Sequence, residues 1–408
     1  MKFKDFPKNV KLRIFCGFFD HAISMSIMPF MVLYIADELG KVTSGILLSI
    51  NVIFGLICNL MSGYYADRFS RKGILISGQI FFTVLIALIA LFIHPSINQP
   101  YVVTILFMLT AVSGSMIFPA MDALIVDSTT EAQRKYVYVF NYWSNNLATA
   151  IGTAIGGLFY KEHRMLLFII IIIIFILNTI IFMKFLDDPT TRREKKIVHT
   201  HWVHDLLKNY AIALKDLPFV MFTIAVVFIY SAEFALTNYI GVRLHHEFKP
   251  VDLFGVHVDG VRMMSLMLIE NTVLVVTITF LISKLVEPFN PKYVMMVGAM
   301  LYAGGYAISH ALNTWYLLLL AVLIATIGEL MFSPIYSVYQ AKLMPDDQRA
   351  SYIAFSSLGF SGASLVASSG LVIGAYTGDI FMASYVCFLG IIGVCCIFVA
   401  MNLHKKRA

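Results

Sequence analysis

Five carboxylic acids interrupt long apolar runs of this chain: Asp20, Asp122, Glu233, Glu270 and Glu329. The first sits in FCGFFDHAISMSIMPFM, beside His21. A carboxylate in hydrocarbon is costly, so such groups face a wet cavity or a partner and mark functional positions. An acid in that setting can hold a proton and release it when water or a cation arrives. Glu233, Glu270 and Glu329 are therefore candidate proton carriers. Asp20, His21 and Asp122 are candidates for a cavity that takes a cation or a polar substrate group. His21 is either a titrating group in its own right or a hydrogen-bonding neighbour of Asp20. Asn141, Asn145, Asn146, Asn238 and Asn271 lie in the same apolar stretches and add neutral hydrogen-bonding sites. No Lys or Arg falls among these acids, which points to cationic or proton-exchanging traffic.

Other chemistries lack their residues. No HExxH, GxSxG or paired histidine boxes occur, which argues against an intramembrane enzyme with catalytic residues. The five cysteines (Cys16, Cys58, Cys387, Cys395, Cys396) lie inside apolar runs without metal-type spacing and read as packing residues. Neither a bound metal nor another cofactor is expected.

The elements that position the acids follow from hydropathy. The chain of 408 residues is 59% hydrophobic and 13% charged, with mean hydropathy +0.81. Runs such as Val102 to Met116, Leu166 to Phe182 and Leu266 to Ile282 read as membrane-spanning helices. The pattern predicts an all-α membrane protein with twelve spans: 12–36, 43–66, 73–94, 101–127, 136–160, 165–186, 217–241, 263–286, 292–311, 315–340, 351–375 and 380–402. The longest polar interruption divides them into an N-terminal six-helix half (1–186), a linker (187–216) and a C-terminal six-helix half (217–408). This is the layout of the major facilitator fold, in which substrate binds near the midplane. With the N-terminus inside, only six of the 30 Lys and Arg fall outside: Lys41, Lys161, Arg164, Arg243, Lys249 and Arg262. Both termini and the linker are therefore expected in the cytoplasm, in a multi-pass protein of the cell membrane. The net charge of +6 reflects that bias and anionic headgroups rather than nucleic acid. HEFKPVDLFGVHVDG (246–260), on the outside, reads as a short hairpin or a solvated loop.

At about 1.5 Å per residue, Asp20 and Asp122 lie roughly 10 Å from the cytoplasmic face. By the same measure, Glu233 and Glu270 lie roughly 10 Å from the outer face and Glu329 near the middle.

Two motifs bear on conformational change. GYYADRFSRKG matches the superfamily loop signature at Gly63, Asp67, Arg68, Arg71 and Lys72. Gly63 permits close helix approach, and the charges form ion pairs that lock and release one face. Asp127, at the cytoplasmic end of span 4, is the expected partner of these bases. In NYWSNNLATAIGTAIGG, Gly152 and Gly156 make a GxxxG pair that permits close backbone packing. With Gly157 they fit the span 5 antiporter signature, except for its missing proline.

Over nearly its whole length the chain resembles the LmrP-type multidrug exporters of the drug:proton antiporter branch. The likeness is carried by GILLSI, ADRFSRK, ALIVDSTTEAQRK, NYWSNNL, FGVHVDGVRM and IGELMFSP. It implies that Asp67, Asp127 and Glu329 serve conformational coupling and proton or drug handling. Asn141 and Thr237 stand where the family has Asp, and the last span has no acid around Ile391. Asp20, His21, Glu233 and Glu270 occupy positions that are uncharged there. The function so implied is a secondary transporter exporting small amphipathic, cationic compounds by proton antiport, driven by the proton gradient, as a monomer. Its partners would be a small-molecule substrate, protons and the lipid bilayer. The alternative is a dedicated exporter of one polar metabolite, such as an amino-acid-derived metallophore, which the additional acids, His21 and the asparagines favour. An uptake symporter fits less well.

Overall fold

The computed structural model describes residues 3–68, 70–187, 210–253, 255–345 and 348–405. They fall into two compact units, Met1–Leu39 with Ile53–Thr200, and Gly40–Val52 with His201–Ala408.

In the first unit the chain runs through α1 (Lys8–Met25), α2 (Met28–Leu39), α3 (Lys41–Arg68, shared with the second unit), α4 (Arg71–Phe92), α5 (Pro100–Ser128) and α6 (Glu131–Phe185). The expected first span is broken between α1 and α2. Pro29 has no N–H to give the preceding turn, and the Ser26 hydroxyl donates to the Ile23 carbonyl at 2.7 Å. Helix α6 has 55 residues and bends at His163, whose φ of −128° and ψ of 32° are not helical. It covers both the fifth and sixth expected spans, and is far too long for one crossing of a ~30 Å core.

The second unit contains α7 (Leu217–Phe234), a π-helical turn (Leu236–Ile240), α8 (Gly241–Glu247), β1 (Val251–Leu253), β2 (Val256–Val258), α9 (Gly260–Val286), α10 (Pro291–Ser309), α11 (Trp315–Leu343), α12 (Arg349–Tyr376) and α13 (Asp379–Lys405). The expected seventh span thus ends its α-helix at Phe234 and widens. Asn238 Nδ2 donates to the Phe234 carbonyl at 3.0 Å, while the Ile240 N–H reaches back five residues to Ala235. Such π-turns concentrate at functional sites. β1 and β2 form an antiparallel hairpin, Val251 opposite Val258, and Gly255 in its turn has φ +81°.

Among the described residues, ten helical segments are long and apolar enough to cross a membrane, two fewer than the sequence count. The difference arises because the two spans that meet at the His163 bend of α6 form one segment and Pro291–Ser309 is not among the ten. Apolar side chains such as Ile46, Ile50, Ile53 and Ile57 on α3 are exposed, as a lipid-facing stripe requires.

Glycine sets the closest helix contacts. A Cβ on Gly152 would fall on the Ala22 carbonyl and lie 2.7 Å from Met25 Cβ, while one on Gly156 would meet the Phe30 ring and the Ser26 carbonyl. In the second unit, Gly298 and Gly328 let α10 and α11 touch backbone to backbone, Gly328 lying against the Tyr302 amide. Because Gly328 directly precedes Glu329, this contact carries that acid to Tyr302. Gly152→Leu is expected to destabilise the first unit by more than the ~1–3 kcal/mol of ordinary overpacking, since the obstruction is backbone. A thermal melt of the purified variant in detergent checks this, and an unchanged melting temperature would show that α1 and α6 can separate freely.

Candidate functional site

The sharpest concentration of acids lies within the second unit. Glu233 on α7 accepts a short hydrogen bond from Tyr302 Oη of α10. Glu329 on α11 accepts one from Asn271 Nδ2 of α9 at 2.9 Å, and the same amide donates to Thr326 Oγ1 at 3.0 Å. Glu233 and Glu329 are close enough to repel one another, and Tyr306 lies in the field of Glu233, Glu329 and Glu270 together. Tyr302 and Tyr306 are almost fully buried, one turn apart along α10 with ring centroids 5.9 Å apart and planes tilted by 60°. Glu270 keeps one buried carboxyl oxygen, Oε2, without a hydrogen-bond partner. Among the described residues no Lys or Arg pairs with any of the three acids. Two of the four expected proton-coupling residues, Glu233 and Glu329, thus come together with Asn271, which was expected in the substrate cavity, while Glu270 is the residue before Asn271 on α9. The fourth, Asp127, lies outside the described side chains.

Carboxyls brought together in a membrane interior without a base need a proton or a cation among them. The walls are aromatic. Tyr230 packs against Tyr302 at 5.6 Å, Phe360 at 4.9 Å and Phe332 at 6.0 Å. Tyr230 Oη and Ser333 Oγ are 3.2 Å apart.

The first unit holds a different arrangement. Asp20, expected as a free cavity carboxylate, has both oxygens occupied. Gln79 Nε2 of α4 donates to Oδ2 and Asn178 Nδ2 of α6 donates to Oδ1, each at 2.7 Å. Thr179 Oγ1 donates to Gln79 Oε1 at 3.0 Å, and Asn178 Nδ2 also reaches the Cys16 carbonyl at 3.1 Å. Gln79, Asn178 and Thr179 are buried. A carboxylate gripped by two amide donors ties three helices together. His21 does not bond to Asp20. Successive side chains on a helix diverge by about 100°, and its Nε2 lies 2.8 Å from Thr149 Oγ1 of α6 instead.

Asp122 has a base beside it, against the expectation. Arg13 Nη2 pairs with Asp122 Oδ1 at 3.0 Å, and Nη1 makes a short contact to Asn141 Oδ1. Arg13 itself is buried whereas Asp122 is exposed. The long Arg stem carries its charge inward from the end of α1, which sequence position alone hides. Asn146 and Asn238 each donate to the carbonyl four residues back, Tyr142 and Phe234, at 2.9 and 3.0 Å. Asn145 offers its carbonyl to Thr149. Neither Asn146 nor Asn238 joins the acids through its side chain.

Of the loop signature, Gly63, Asp67 and Arg68 lie outside the described side chains. Lys72 Nζ donates to the carbonyls of Met183 and Leu186 at 2.8 Å, capping the end of α6. Gly157 is buried beside the Gly156 contact.

Arg243, expected in an outer loop, is buried at the far end of the second unit. Its guanidinium donates to Asn313 Oδ1 at 2.7 Å and to the carbonyls of Ser309 and Leu312 at 3.1 and 2.5 Å. It also pairs with Asp379 at 3.5 Å and Glu247 at 3.9 Å. Tyr302, Tyr306, Gln79, Asn178 and Arg13 were likewise missed by sequence reasoning. For the tyrosines a signal existed: YAGGYAISH repeats a polar-tipped ring every four residues.

Long apolar helices with partnered and unpartnered acids between them define a polytopic membrane transporter. The chain belongs to the Major Facilitator Superfamily, whose family profile matches residues 14–368. It is 29% identical over 391 residues to a Na(+), Li(+), K(+)/H(+) antiporter of Planococcus maritimus, covering 93% of this chain and 92% of that protein. It is 24% identical over 370 residues to the uncharacterized MFS-type transporter YqjV of Bacillus subtilis, covering 88% and 82%. Among solved structures, a POT family transporter in complex with 5-aminolevulinic acid superposes with TM-score 0.77 at 13% identity, covering 100% of this chain and 99% of that one. The nucleoside transporter NupG superposes with TM-score 0.72 at 15% identity, covering 97% and 99%. These likenesses show the fold alone. The chain is a transporter and not an enzyme.

Proposed function

We propose that this protein is a proton-driven antiporter of the cell membrane that exports small cationic solutes, in twelve spans grouped six and six with both termini cytoplasmic. The observation that carries the reading is the meeting of Glu233 and Glu329 beside Tyr302 without a base, with Glu270 next to the Asn271 that holds Glu329. A proton and a cation compete for the same oxygens, so binding one expels the other. That competition is the elementary requirement of antiport. The antiporter relative supports exchange of protons for cations. The aromatic rings beside the acids favour an amphipathic organic cation over a bare metal ion, in keeping with the resemblance to drug:proton antiporters. The energy source is the proton gradient, with no resident cofactor, and the working unit is a monomer.

The test uses everted membrane vesicles with an established acid-inside gradient and a pH-sensitive dye. Addition of a cationic dye such as ethidium, or of Na+, Li+ or K+, should release protons in vesicles containing the protein and not in control vesicles. Proton release with organic cations supports the amphipathic substrate class, whereas release with alkali-metal ions alone reassigns the substrate. If no cation moves protons, the antiport reading fails.

A further inference from the structure

The C-terminal end of α10 carries a buried group that the acid cluster does not use. His310 has no exposed surface. Its Nδ1 lies 2.8 Å from the Tyr306 carbonyl, which can only accept, so Nδ1 carries the hydrogen and donates. In the neutral ring Nε2 is then an acceptor, and it is buried without a partner. The Tyr239 ring lies parallel to the imidazole at 5.3 Å and 15°, covering its face and leaving the edge free. Beside it is a cavity of about 10 Å³, lined by His310 with Ser231, Tyr239, Gly370, Met382 and Tyr385 among others. That is the smallest space that holds one water, and an unsatisfied polar atom is what retains water in such a space.

We infer that this cavity is a water and proton site, in which a single water donates to His310 Nε2 and the ring serves as a proton station for the acid cluster. The relation to that cluster follows from spacing. Tyr302, Tyr306 and His310 recur every four residues and so share one face of α10. At one end Tyr302 donates to Glu233. Two turns on, or about 12 Å at 1.5 Å per residue, His310 faces the cavity. Beyond it Tyr239 Oη donates to Asp379 Oδ1 at 3.0 Å, and Asp379 pairs with Arg243. A hydronium entering the cavity hands its proton to Nε2 and becomes water, while the other ring hydrogen stays on Nδ1, donated to the Tyr306 carbonyl. The reverse step returns the proton through the same nitrogen, so no tautomer change is needed.

The groups that bear on the charged ring can be named by element. Asp379 and Tyr385 come from α13, Arg243 from α8, Tyr239 from the π-turn and Tyr306 from α10. To the cavity α7 contributes Ser231, the residue following α7 is Ala235, and α12 contributes Val366, Ala367 and Gly370, with no titratable side chain among them. The Asp379 carboxylate offsets only part of the repulsion from Arg243.

The role in coupling rests on the antiport reading, whereas the site does not, and two measurements keep them apart. First, the full-length protein labelled with 15N-histidine is compared with His310→Phe, which retains the stack on Tyr239 and identifies the signal. An unprotonated Nε2 with the 15N shift of a nitrogen accepting a hydrogen bond from water is expected, and a dry, unbonded Nε2 in the folded protein overturns the site whatever the transport result. Second, in proteoliposomes His310→Phe and His310→Gln should leave substrate counterflow near wild type. Both should slow gradient-driven exchange by on the order of a hundredfold, the low end of what a positioned proton-transfer group contributes. Gradient-driven exchange at the wild-type rate in both variants overturns the station. Absence of any proton exchange in wild type, with the water-bound Nε2 signal present, overturns the antiport reading and leaves the site standing.

Discussion

Glu329→Gln is expected to abolish proton-driven exchange in a protein that still folds. The glutamate accepts from Asn271 Nδ2 at 2.9 Å, and a glutamine carbonyl can accept the same bond. Packing against Gly328 and Tyr302 is untouched because the two side chains have nearly the same shape. What is lost is the ability to take up and release a proton and to present a full negative charge to a cation. Gradient-driven flux should fall by at least about a hundredfold, while counterflow of labelled against unlabelled substrate, which needs no net proton movement, persists at raised substrate concentration because Glu233 still offers a carboxylate. Glu233→Gln is the companion, since Tyr302 Oη can donate to its amide oxygen as it does to the carboxylate. The acids act as a unit, so the double variant should be little worse than either single one. Normal gradient-driven flux by Glu329→Gln would remove it from the coupling site. Loss confined to Glu233→Gln would move the coupling proton to α7.

Some of this arrangement is visible in the sequence and some is not, and the divide follows the range of the forces. Asp20, Glu233, Glu270 and Glu329 stand out because hydrophobicity is a one-dimensional property, and an acid within an apolar run needs no structure to be noticed. The superfamily is legible from the runs and from the Gly63 to Lys72 signature. Partners are another matter. Whether Asp20 meets water or two amides depends on which faces of α4 and α6 turn toward α1, and nothing in FCGFFDHAISMSIMPFM specifies that. Arg13 and Arg243 mislead for a related reason. Their backbones sit at helix ends, where a count of positive charges assigns them to the interface, but long stems carry the guanidinium inward to Asp122 and to the Ser309 and Leu312 carbonyls. The π-turn at Leu236–Ile240 depends on Asn238 taking the Phe234 carbonyl, a local contest that hydropathy does not register. The four-residue repeat of Tyr302, Tyr306 and His310 was open to view, and its meaning required knowing that α7 presents Glu233 to the first of them.

Asp20→Asn is expected to destabilise the protein rather than to alter substrate selection, and the hydrogen-bond polarity gives the reason. Gln79 and Asn178 both turn their amino groups toward the carboxylate. Asn178 is not free to turn over, because its amino group is also held by the Cys16 carbonyl. Gln79 is held less firmly, since the single Thr179 hydroxyl hydrogen lies between Gln79 Oε1 at 3.0 Å and the Phe175 carbonyl at 2.7 Å. An asparagine at position 20 presents one acceptor and one donor to two donors, so either one buried N–H is left facing another or Gln79 turns over and gives up the hydrogen bond from Thr179. Leaving a buried donor unsatisfied costs about 1–3 kcal/mol, and this site loses a charge-assisted bond as well. The melting temperature of the purified variant should fall by several degrees, about 2–4 °C per kcal/mol for domains near this size. The apparent KM should stay near wild type for every substrate once flux is normalised to folded protein. A second substitution makes the argument decisive. In Asp20→Asn with Gln79→Glu the polarity is exchanged: the introduced amide donates to the new carboxylate and accepts from Asn178, and Thr179 still has an oxygen to donate to. The double variant should therefore recover a large part of the lost stability, although Gln79→Glu alone, which sets two carboxylates against each other, should be worse than wild type. Additive losses in the double variant would refute the hydrogen-bond account. A raised KM for cationic substrates without any loss of stability would instead return Asp20 to the substrate site.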